Sequence, residues 1–336
     1  MPRRSPPAPL PQRQGVDPSR LRLPTTGGPW TTIRDHLVDR LAPPAEVIDA
    51  MLRSGAFVTA DGSPVAPDAP YAPGTSLWFH RELRPEPPVP FPLPVVHRDE
   101  HIVVVDKPHF LATTPRGSHI TETALARLRR ELGVPGLGAA HRLDRLTAGL
   151  VLFIVRPQER GAYQNLFRDR RVHKEYEALA PFDEALELPR TVISRIEKER
   201  GVLTAREVPG EPNAISRVEL LDLLPPARTP VARYRLVPLT GRTHQLRVHM
   251  NALGVPIIGD PLYPVVRDAT EPGDFREPLK LLARVLEFRD PVTGLEHRFT
   301  SARDLTGEPP GAPGGAPAGS GPPPGGCRSR AAPPPG

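Results

Sequence analysis

The chain has 336 residues, a formal net charge of +6 and a single cysteine, Cys327. One thiol rules out an internal disulfide framework, and no apolar run approaches the roughly 20 residues that a membrane-spanning helix needs. These features favour a cytoplasmic protein with no membrane partner.

Both ends of the chain are rich in proline and glycine and poor in large apolar side chains. Residues 1–30 and 305–336 are therefore predicted to be disordered tails, because they bury too little apolar surface to offset the entropy of ordering. These tails carry five of the six excess positive charges. The basic composition alone is thus weak support for a nucleic-acid partner, although cations cluster locally within 168–174 and 241–249.

Residues 31–83 predict a small α+β module. Apolar residues at four-residue spacing from Ile33 to Leu41 predict one short helix, and a second begins at Pro44 and ends near Gly55. Two short strands follow, on either side of an Asp-Gly turn. This pattern resembles the RNA-binding module of a small-subunit ribosomal protein, with a generic helical cap as the alternative.

Residues 84–94 are rich in alternating proline, which favours extended polyproline geometry, and they predict a stiff linker before a catalytic domain at 95–304. Several predicted strands follow one another directly in this domain. It is therefore expected to be α+β, with a mixed, largely antiparallel sheet, flanking helices and a central catalytic cleft. The predicted strands cover 101–106, 150–155, 173–180, 216–224, 232–239 and 279–288, and the predicted helices cover 122–132, 157–168 and 243–253.

The segment HRLDRLTAGLVLF places Asp144 between Arg142 and Arg145, just before an apolar run that predicts a buried strand. Neighbouring cations favour the charged carboxylate and the apolar wall restricts water, so this group could act as a nucleophile. The alternative is a surface cluster of ion pairs next to a strand.

Three segments resemble motifs of one enzyme family. HRLDRLTAGL, which contains Asp144, resembles the HRLDRxTSGL signature of the RluA-type RNA pseudouridine synthases, which isomerise uridine to its carbon-linked isomer. GRTHQLRVHMNALGVPIIGDPLY (241–263) resembles the later motif of that family, and DEHIVVVDKP (99–108) resembles its opening strand. The resemblance runs from about Pro94 to Thr300 and implies an isomerase that acts on RNA.

The resemblance also implies roles for individual residues. Asp144 would attack the target nucleoside, Tyr176 would stack on the uracil, and Arg247 would pair with Asp144, which a guanidinium can hold through two hydrogen bonds. Arg142 would displace the target base from its RNA stack and take its place. The implied substrate-binding residues also include His141, Arg145, Thr147, Arg242, His244, Gln245 and Leu281.

Within that larger set, Arg242, His244 and Gln245 precede Arg247 at a helix start, where they could bind phosphate. Leu281 would form an apolar wall of the uracil pocket. Without the resemblance, Tyr176 would be interpreted as a packing residue of a strand, and the predicted helix at 243–253 as an amphipathic element with solvated cations.

No metal site or cofactor is predicted, because the histidine spacing fits no metal motif and no phosphate-binding glycine motif is present. The expected partner is structured ribosomal or transfer RNA, bound by a monomer. Its phosphates are predicted to contact Arg168, Arg170, Arg171, Lys174 and Arg242. The alternatives are a non-catalytic RNA-binding or ribosome-assembly factor and, less well supported because only one convincing acid is found, a glycosidase.

Overall fold

The computed structural model describes residues 8–26, 28–83, 85–225, 229–268, 271 and 273–306. The strands are β1 (Ser19–Arg22), β2 (Ser76–Phe79), β3 (Val95–Arg98), β4 (Ile102–Lys107), β5 (Gly138–Ala139), β6 (Ala148–Ile154), β7 (Val172–Pro181), β8 (Arg190–Ser194), β9 (Ile196–Glu197), β10 (Arg206–Glu207), β11 (Ala214–Leu223), β12 (Val231–Pro238), β13 (Leu281–Arg289) and β14 (Glu296–Thr300). The helices are α1 (Ile33–Arg40), α2 (Ala45–Arg53), α3 (Ala124–Leu132), α4 (Arg160–Arg168) and α5 (Gln245–Ala252).

The amino-terminal module contains the two predicted helices, α1 and α2, and a two-stranded sheet. Helix α1 begins after Thr32, whose hydroxyl accepts a hydrogen bond from the backbone of Asp35 while the Asp35 carboxylate accepts one from the backbone of Thr32. Leu37, Ile48 and Leu77 are buried together in a core that belongs to this module. The sequence pattern therefore located both helices correctly.

The prediction of a disordered tail over residues 1–30 is wrong at its carboxyl-terminal end. Strand β1 pairs antiparallel with β2, and Leu23 is buried in the core of the module. This strand is stabilised by a partner far along the chain, so local composition did not indicate it. Leu305, assigned to the other tail, is also buried, whereas residues 1–7 and 307–336 lie outside the described residues.

The proline-rich segment between the two domains packs against the predicted catalytic domain and is not a free spacer. The Glu86 carboxylate accepts hydrogen bonds from the backbone amides of Ile120 and Thr121, at 2.9 and 2.8 Å. Val89 and Phe91 are buried in an apolar cluster that includes residues of α3. The linker is therefore attached along its length to the domain that follows it.

The predicted catalytic domain is built on a ten-stranded sheet with a main strand order of β3-β4-β6-β13-β7-β12-β11-β8, with β5 beside β6 and β14 beside β13. Within the described residues, β6 and β13 form its only parallel pair. The predicted α+β class, with a mixed and largely antiparallel sheet, is confirmed. None of the helices in the described ranges is long and apolar enough to cross a lipid bilayer.

Both faces of the central strands are covered. Val103 and Val105 of β4 pack in a cluster with residues of α3, whereas Ile102 and Val104 pack in a second cluster with Tyr163 of α4. All six residues of β4 are buried, and the burial of its first four on both faces explains why 102–105 appears in the sequence as a continuous apolar run.

Helix α5 begins two residues later than predicted. His244 adopts a left-handed backbone conformation, with φ of 57°, immediately before the helix. The helix ends at Ala252, and Gly254, with φ of +81°, follows as the sequence pattern predicted. The left-handed residue turns the chain sharply and thereby sets the direction of the His244 side chain.

Candidate active site

Three separate elements carry the predicted catalytic residues. Asp144 lies in the turn between β5 and β6, Tyr176 lies within β7, and Arg247 lies within α5. Strands β6 and β7 both pair with β13, and α5 packs on an apolar cluster formed by β7 and β12. The sheet and helix thus bring Asp144 and Tyr176 to one cleft of about 770 Å³ and place Arg247 close to Asp144.

The turn that presents Asp144 is held from both sides. The backbone amide of Thr147 donates to the carbonyl of Asp144 at 3.1 Å, which closes the turn. Before it, the Thr113 hydroxyl donates to the Leu143 carbonyl at 2.9 Å and accepts from the Leu143 amide at 3.1 Å. These bonds restrict the backbone on each side of the carboxylate, so its direction is set by the fold.

A buried lysine supports the same turn. Lys107, at the end of β4, is fully buried and donates to the carbonyls of Pro108, Leu111 and Arg145 at 2.9, 2.8 and 3.3 Å. Burial lowers the pKa of this ammonium well below its usual value. Its three hydrogen bonds thus connect the end of β4 to the turn that follows Asp144.

The partner of Arg247 differs from the one expected. Its Nε and Nη2 donate to the two carboxylate oxygens of Asp260 at 2.7 and 2.6 Å, and both side chains are buried. The remaining nitrogen, Nη1, lies 3.6 Å from Oδ2 of Asp144. The two-pronged contact predicted for Asp144 therefore belongs to Asp260, which orients the guanidinium so that one nitrogen faces Asp144.

Tyr176 is partly buried between the two apolar clusters that meet at the cleft. Burial, with a smaller contribution from the Asp144 carboxylate, raises the pKa of its phenol above the usual value near 10. The predicted pocket wall, Leu281, is buried in one of these clusters. The phenol therefore keeps its proton at neutral pH beside an apolar wall.

His244 lies near the carboxylate but is not arranged as a phosphate ligand. Its Nε2 is 3.9 Å from Oδ2 of Asp144, and its Nδ1 is 3.0 Å from the hydroxyl of Tyr263. That hydroxyl donates to the carbonyl of Ala205 and accepts from the amide of the same residue, each at 2.8 Å. The phenol has one proton and donates it to Ala205, so it can only accept from His244, and Nδ1 must be the donor. In the neutral ring the proton is therefore on Nδ1, and Nε2 carries none.

Gln245 holds the loop before α5. Its amide oxygen accepts from the hydroxyl of Thr240 at 2.7 Å and from the amide of Arg242 at 3.0 Å. Its amide nitrogen donates to Ile215 and Ser216 of β11 at 3.0 and 2.8 Å. The buried side chain uses its hydrogen-bonding capacity within the protein, so it positions the loop and does not bind phosphate.

His141 also makes a structural contact. Its Nε2 accepts a hydrogen bond from the backbone of Leu152 at 3.1 Å, and its ring stacks on Phe167 with centroids 4.4 Å apart. Burial, followed by the charge of Lys174, lowers the pKa of His141 to about 3. His141 is therefore neutral, and it presents an uncharged aromatic ring to the cleft.

The wall of the cleft is rich in cations. Arg142 is exposed, Arg145 is partly buried, and burial lowers the pKa of Lys174. Arg168 forms an ion pair with Asp169 at 2.8 Å, which reduces its availability for phosphate. The lining includes the predicted Arg142, Arg145, Arg168, Arg170, Lys174 and Arg242, and also Arg116 and His119, which were not predicted.

Sequence reasoning missed the supporting residues. Asp260 and Tyr263 belong to the GDPLY part of the block after α5, and Lys107 belongs to the DKP part of the opening strand. Each was inside a motif that carried the resemblance, but nothing in the sequence indicated which side chain it would contact. Thr113 had no such signal, because a lone threonine in a loop is usually solvated.

Comparison with known proteins agrees with this arrangement. A family model described as RNA pseudouridylate synthase matches residues 101–252. The chain is 35% identical over 223 residues to the dual-specificity RNA pseudouridine synthase RluA of Pasteurella multocida, covering 62% of this chain and 91% of that protein. It is 30% identical over 236 residues to the ribosomal large subunit pseudouridine synthase D of Pseudomonas aeruginosa, covering 62% and 68%.

A solved structure shows the same fold. The human RNA pseudouridylate synthase domain containing 1 superposes with a TM-score of 0.50 at 25% identity, covering 66% of this chain and 94% of that one. The sequence matches and this superposition agree with the enzymatic interpretation over the non-catalytic alternative. The chain belongs to the RluA-type family of RNA pseudouridine synthases, which are isomerases that act on RNA.

Proposed function

We propose that this chain converts particular uridines to pseudouridine in structured ribosomal or transfer RNA, with Asp144 as the nucleophile. The observation that carries the proposal is the position of the Asp144 carboxylate, which shares a cation-lined cleft with Tyr176 and lies 3.6 Å from a buried guanidinium nitrogen of Arg247. The names of the Pasteurella and Pseudomonas relatives support this substrate class.

The reaction rearranges one nucleoside and consumes no second substrate. Asp144 attacks the target nucleoside, the bond between N1 of uracil and C1′ of the ribose breaks, and the base rotates within the cleft. A bond then forms between C5 and C1′, and the bond between Asp144 and the nucleoside breaks, which restores the carboxylate. The proton on C5 is lost and N1 gains a proton, so the atoms balance without hydrolysis. Arg247 supports the charge of the carboxylate, and Tyr176 stacks on the uracil near the carbon that loses its proton.

The target base must leave its stack to reach Asp144, because the reacting bond is inaccessible within stacked RNA. Arg142 is exposed at the cleft and would occupy the vacated place in the stack. Arg170, Lys174 and Arg242 would contact the phosphates on either side. The amino-terminal module, which the linker joins to the catalytic domain, would add RNA contacts outside the cleft.

The test is a map of pseudouridine across total RNA from cells that carry the wild-type gene, a deletion or the variant Asp144→Ala. We expect the same position or positions to lose pseudouridine in the deletion and in the variant. The matched control is Asp68→Ala, which removes an exposed carboxylate of the amino-terminal module and should leave the map unchanged.

Two other outcomes would contradict the proposal. Unchanged modification with defective ribosome assembly in the deletion strain would indicate a non-catalytic RNA-binding factor. Release of free uracil by the purified protein would indicate hydrolysis of the glycosidic bond.

A further inference from the structure

The imidazole of His244, which lies beside Asp144, is fixed by its backbone conformation and by a hydrogen bond to Tyr263. The residue occupies the left-handed region, with φ of 57° and ψ of 17°, which is uncommon for a residue other than glycine. Its Nδ1–H donates to the Tyr263 hydroxyl, and that hydroxyl is itself tied to both backbone groups of Ala205. The ring therefore has little freedom to rotate or to exchange its two nitrogens.

This arrangement places two hydrogen-bond acceptors next to each other. The bare Nε2 of His244 and the Oδ2 of Asp144 are 3.9 Å apart. Burial is the largest influence on His244 and lowers its pKa; the Asp144 carboxylate opposes this effect and Arg247 adds to it. The net shift is downward, so the ring is neutral at pH 7. Two acceptors at this distance do not stabilise each other, but they form a ready site for a donor on the substrate.

The target uridine has two hydrogen-bond donors that could occupy this site, the 2′-hydroxyl of the ribose and the N3–H of the uracil. The 2′-hydroxyl is on the carbon next to C1′, so it lies beside the bond that Asp144 must approach. The N3–H of uracil lies across the ring from C6 and points away from the glycosidic bond. An acceptor adjacent to the Asp144 carboxylate is therefore better placed for the hydroxyl, which is also the group that distinguishes RNA from DNA.

We propose that Nε2 of His244 accepts a hydrogen bond from the 2′-hydroxyl of the target uridine, and that Tyr263 fixes the tautomer that makes this possible. The role is specific to the sugar and replaces the phosphate contact expected from the sequence. It rests on the proposed function, because it requires a uridine whose reacting bond lies at Asp144.

The test measures how strongly the protein distinguishes ribose from deoxyribose at one position. The probes are three synthetic RNA stem-loops carrying the mapped target as uridine, 2′-deoxyuridine or 3-methyluridine. Dissociation constants are measured with the Asp144→Asn variant, which prevents turnover, alone and combined with His244→Ala, His244→Gln or Tyr263→Phe. Thermal unfolding confirms that each protein is folded.

We expect the Asp144→Asn protein to bind the uridine probe about threefold to tenfold more tightly than the deoxyuridine probe, as for one hydrogen bond. Adding His244→Ala should bring this ratio close to one. His244→Gln, whose amide oxygen can replace Nε2, should restore part of the ratio, and Tyr263→Phe should reduce it. The matched control Arg242→Ala should weaken both probes alike, because phosphate contacts do not sense the 2′ position.

Equal weakening of both probes by His244→Ala would show that the side chain has only a structural role and would overturn the proposal. A ratio that persists in His244→Ala would do the same. A loss of discrimination against 3-methyluridine alone would assign the donor to the base. These failures are distinct from failure of the proposed function, in which the pseudouridine map would not depend on Asp144 at all.

Discussion

Arg247 contacts two carboxylates that differ in exposure. Asp260 is buried and holds two of its nitrogens, whereas the side chain of Asp144 is 35% exposed and faces the third. The buried acid thus sets the geometry, and the accessible acid remains available to substrate. Asp260 therefore orients the guanidinium, whereas Asp144 remains free for the reaction proposed for it.

Removing the charge of Asp260 would leave Arg247 buried without its main partner. We expect Asp260→Asn to lower the free energy of unfolding by about 3–5 kcal/mol, as for one broken half of a buried ion pair, and to slow turnover. Urea unfolding measures the first effect. Asp274→Ala, which breaks an ion pair with the exposed Arg276, should leave the unfolding midpoint nearly unchanged, and an equally small effect of Asp260→Asn would contradict this account.

The phenol of Tyr176 gives a prediction about pH. Because burial raises its pKa above 10, the hydroxyl stays protonated through alkaline pH, and its loss of a proton should not limit the rate below pH 10. We expect single-turnover rates of pseudouridine formation to be level from pH 8 to 10. A decline over this range that is absent in Tyr176→Phe would show that the phenol ionises more readily than its position implies.

At the scale of elements, the parallel pairing of β6 with β13 brings the strand after Asp144 next to the strand that neighbours Tyr176. Gly149 makes this pairing possible. It has φ of +110°, and a Cβ atom there would overlap the backbone of Ala283, with the amide nitrogen only 2.6 Å away. Neither backbone can move freely, because both strands are paired on their other sides.

We expect Gly149→Ala to destabilise the protein by about 3 kcal/mol or to prevent folding, because the added methyl group meets backbone and not a flexible side chain. Chemical denaturation measures this. The matched control is Gly161→Ala in α4, where a Cβ has open space, and it should leave stability unchanged or raise it by up to about 1 kcal/mol. Similar behaviour of the two variants would mean that the close approach of β6 to β13 is not required.

At the scale of the whole molecule, the cations of the cleft belong to a body that is nearly neutral apart from its ends. Their effect on RNA binding should therefore be local. Arg170 and Arg242 line the cleft. Arg217, in contrast, forms an ion pair with Glu219 on the exposed face of β11, opposite the face that buries Ser216.

We expect the double variant Arg170→Ala, Arg242→Ala to weaken RNA binding and to reduce the slope of log affinity against log salt by about 1–2, as for two lost phosphate contacts. Arg217→Ala should leave both unchanged. Binding isotherms at several salt concentrations measure these slopes. An unaltered slope in the double variant would place the phosphate contacts elsewhere on the surface.

The two domains are joined at more than one place. Besides the linker, the amino-terminal segment contacts α3, where the buried Arg129 donates to the carbonyl of Gly15 and forms an ion pair with Asp17, each at 3.0 Å. The chain then continues into β1 of the amino-terminal module. The segment interpreted from composition as a tail therefore connects the module to the catalytic domain.

Local patterns predicted most of the elements, because apolar periodicity, proline and glycine act within a few residues. They located α1 and α2, the buried strand β4 and the end of α5 just before Gly254. They missed the edge strands β3, β8 and β14, whose partly exposed residues lack a strong apolar pattern. They also missed β1, which depends on a partner distant in sequence.

By itself, the sequence determined the class of fold and the family, and it singled out Asp144, Tyr176 and Arg247 as the residues proposed for catalysis, because motif order and residue type are local properties. Only the tertiary structure decided the partners: Arg247 with Asp260, Gln245 with β11, and His244 with Tyr263. Hydrogen bonds between side chains depend on distances of a few tenths of an ångström between elements. Those distances arise when the sheet and α5 pack together, and no spacing along the chain encodes them directly.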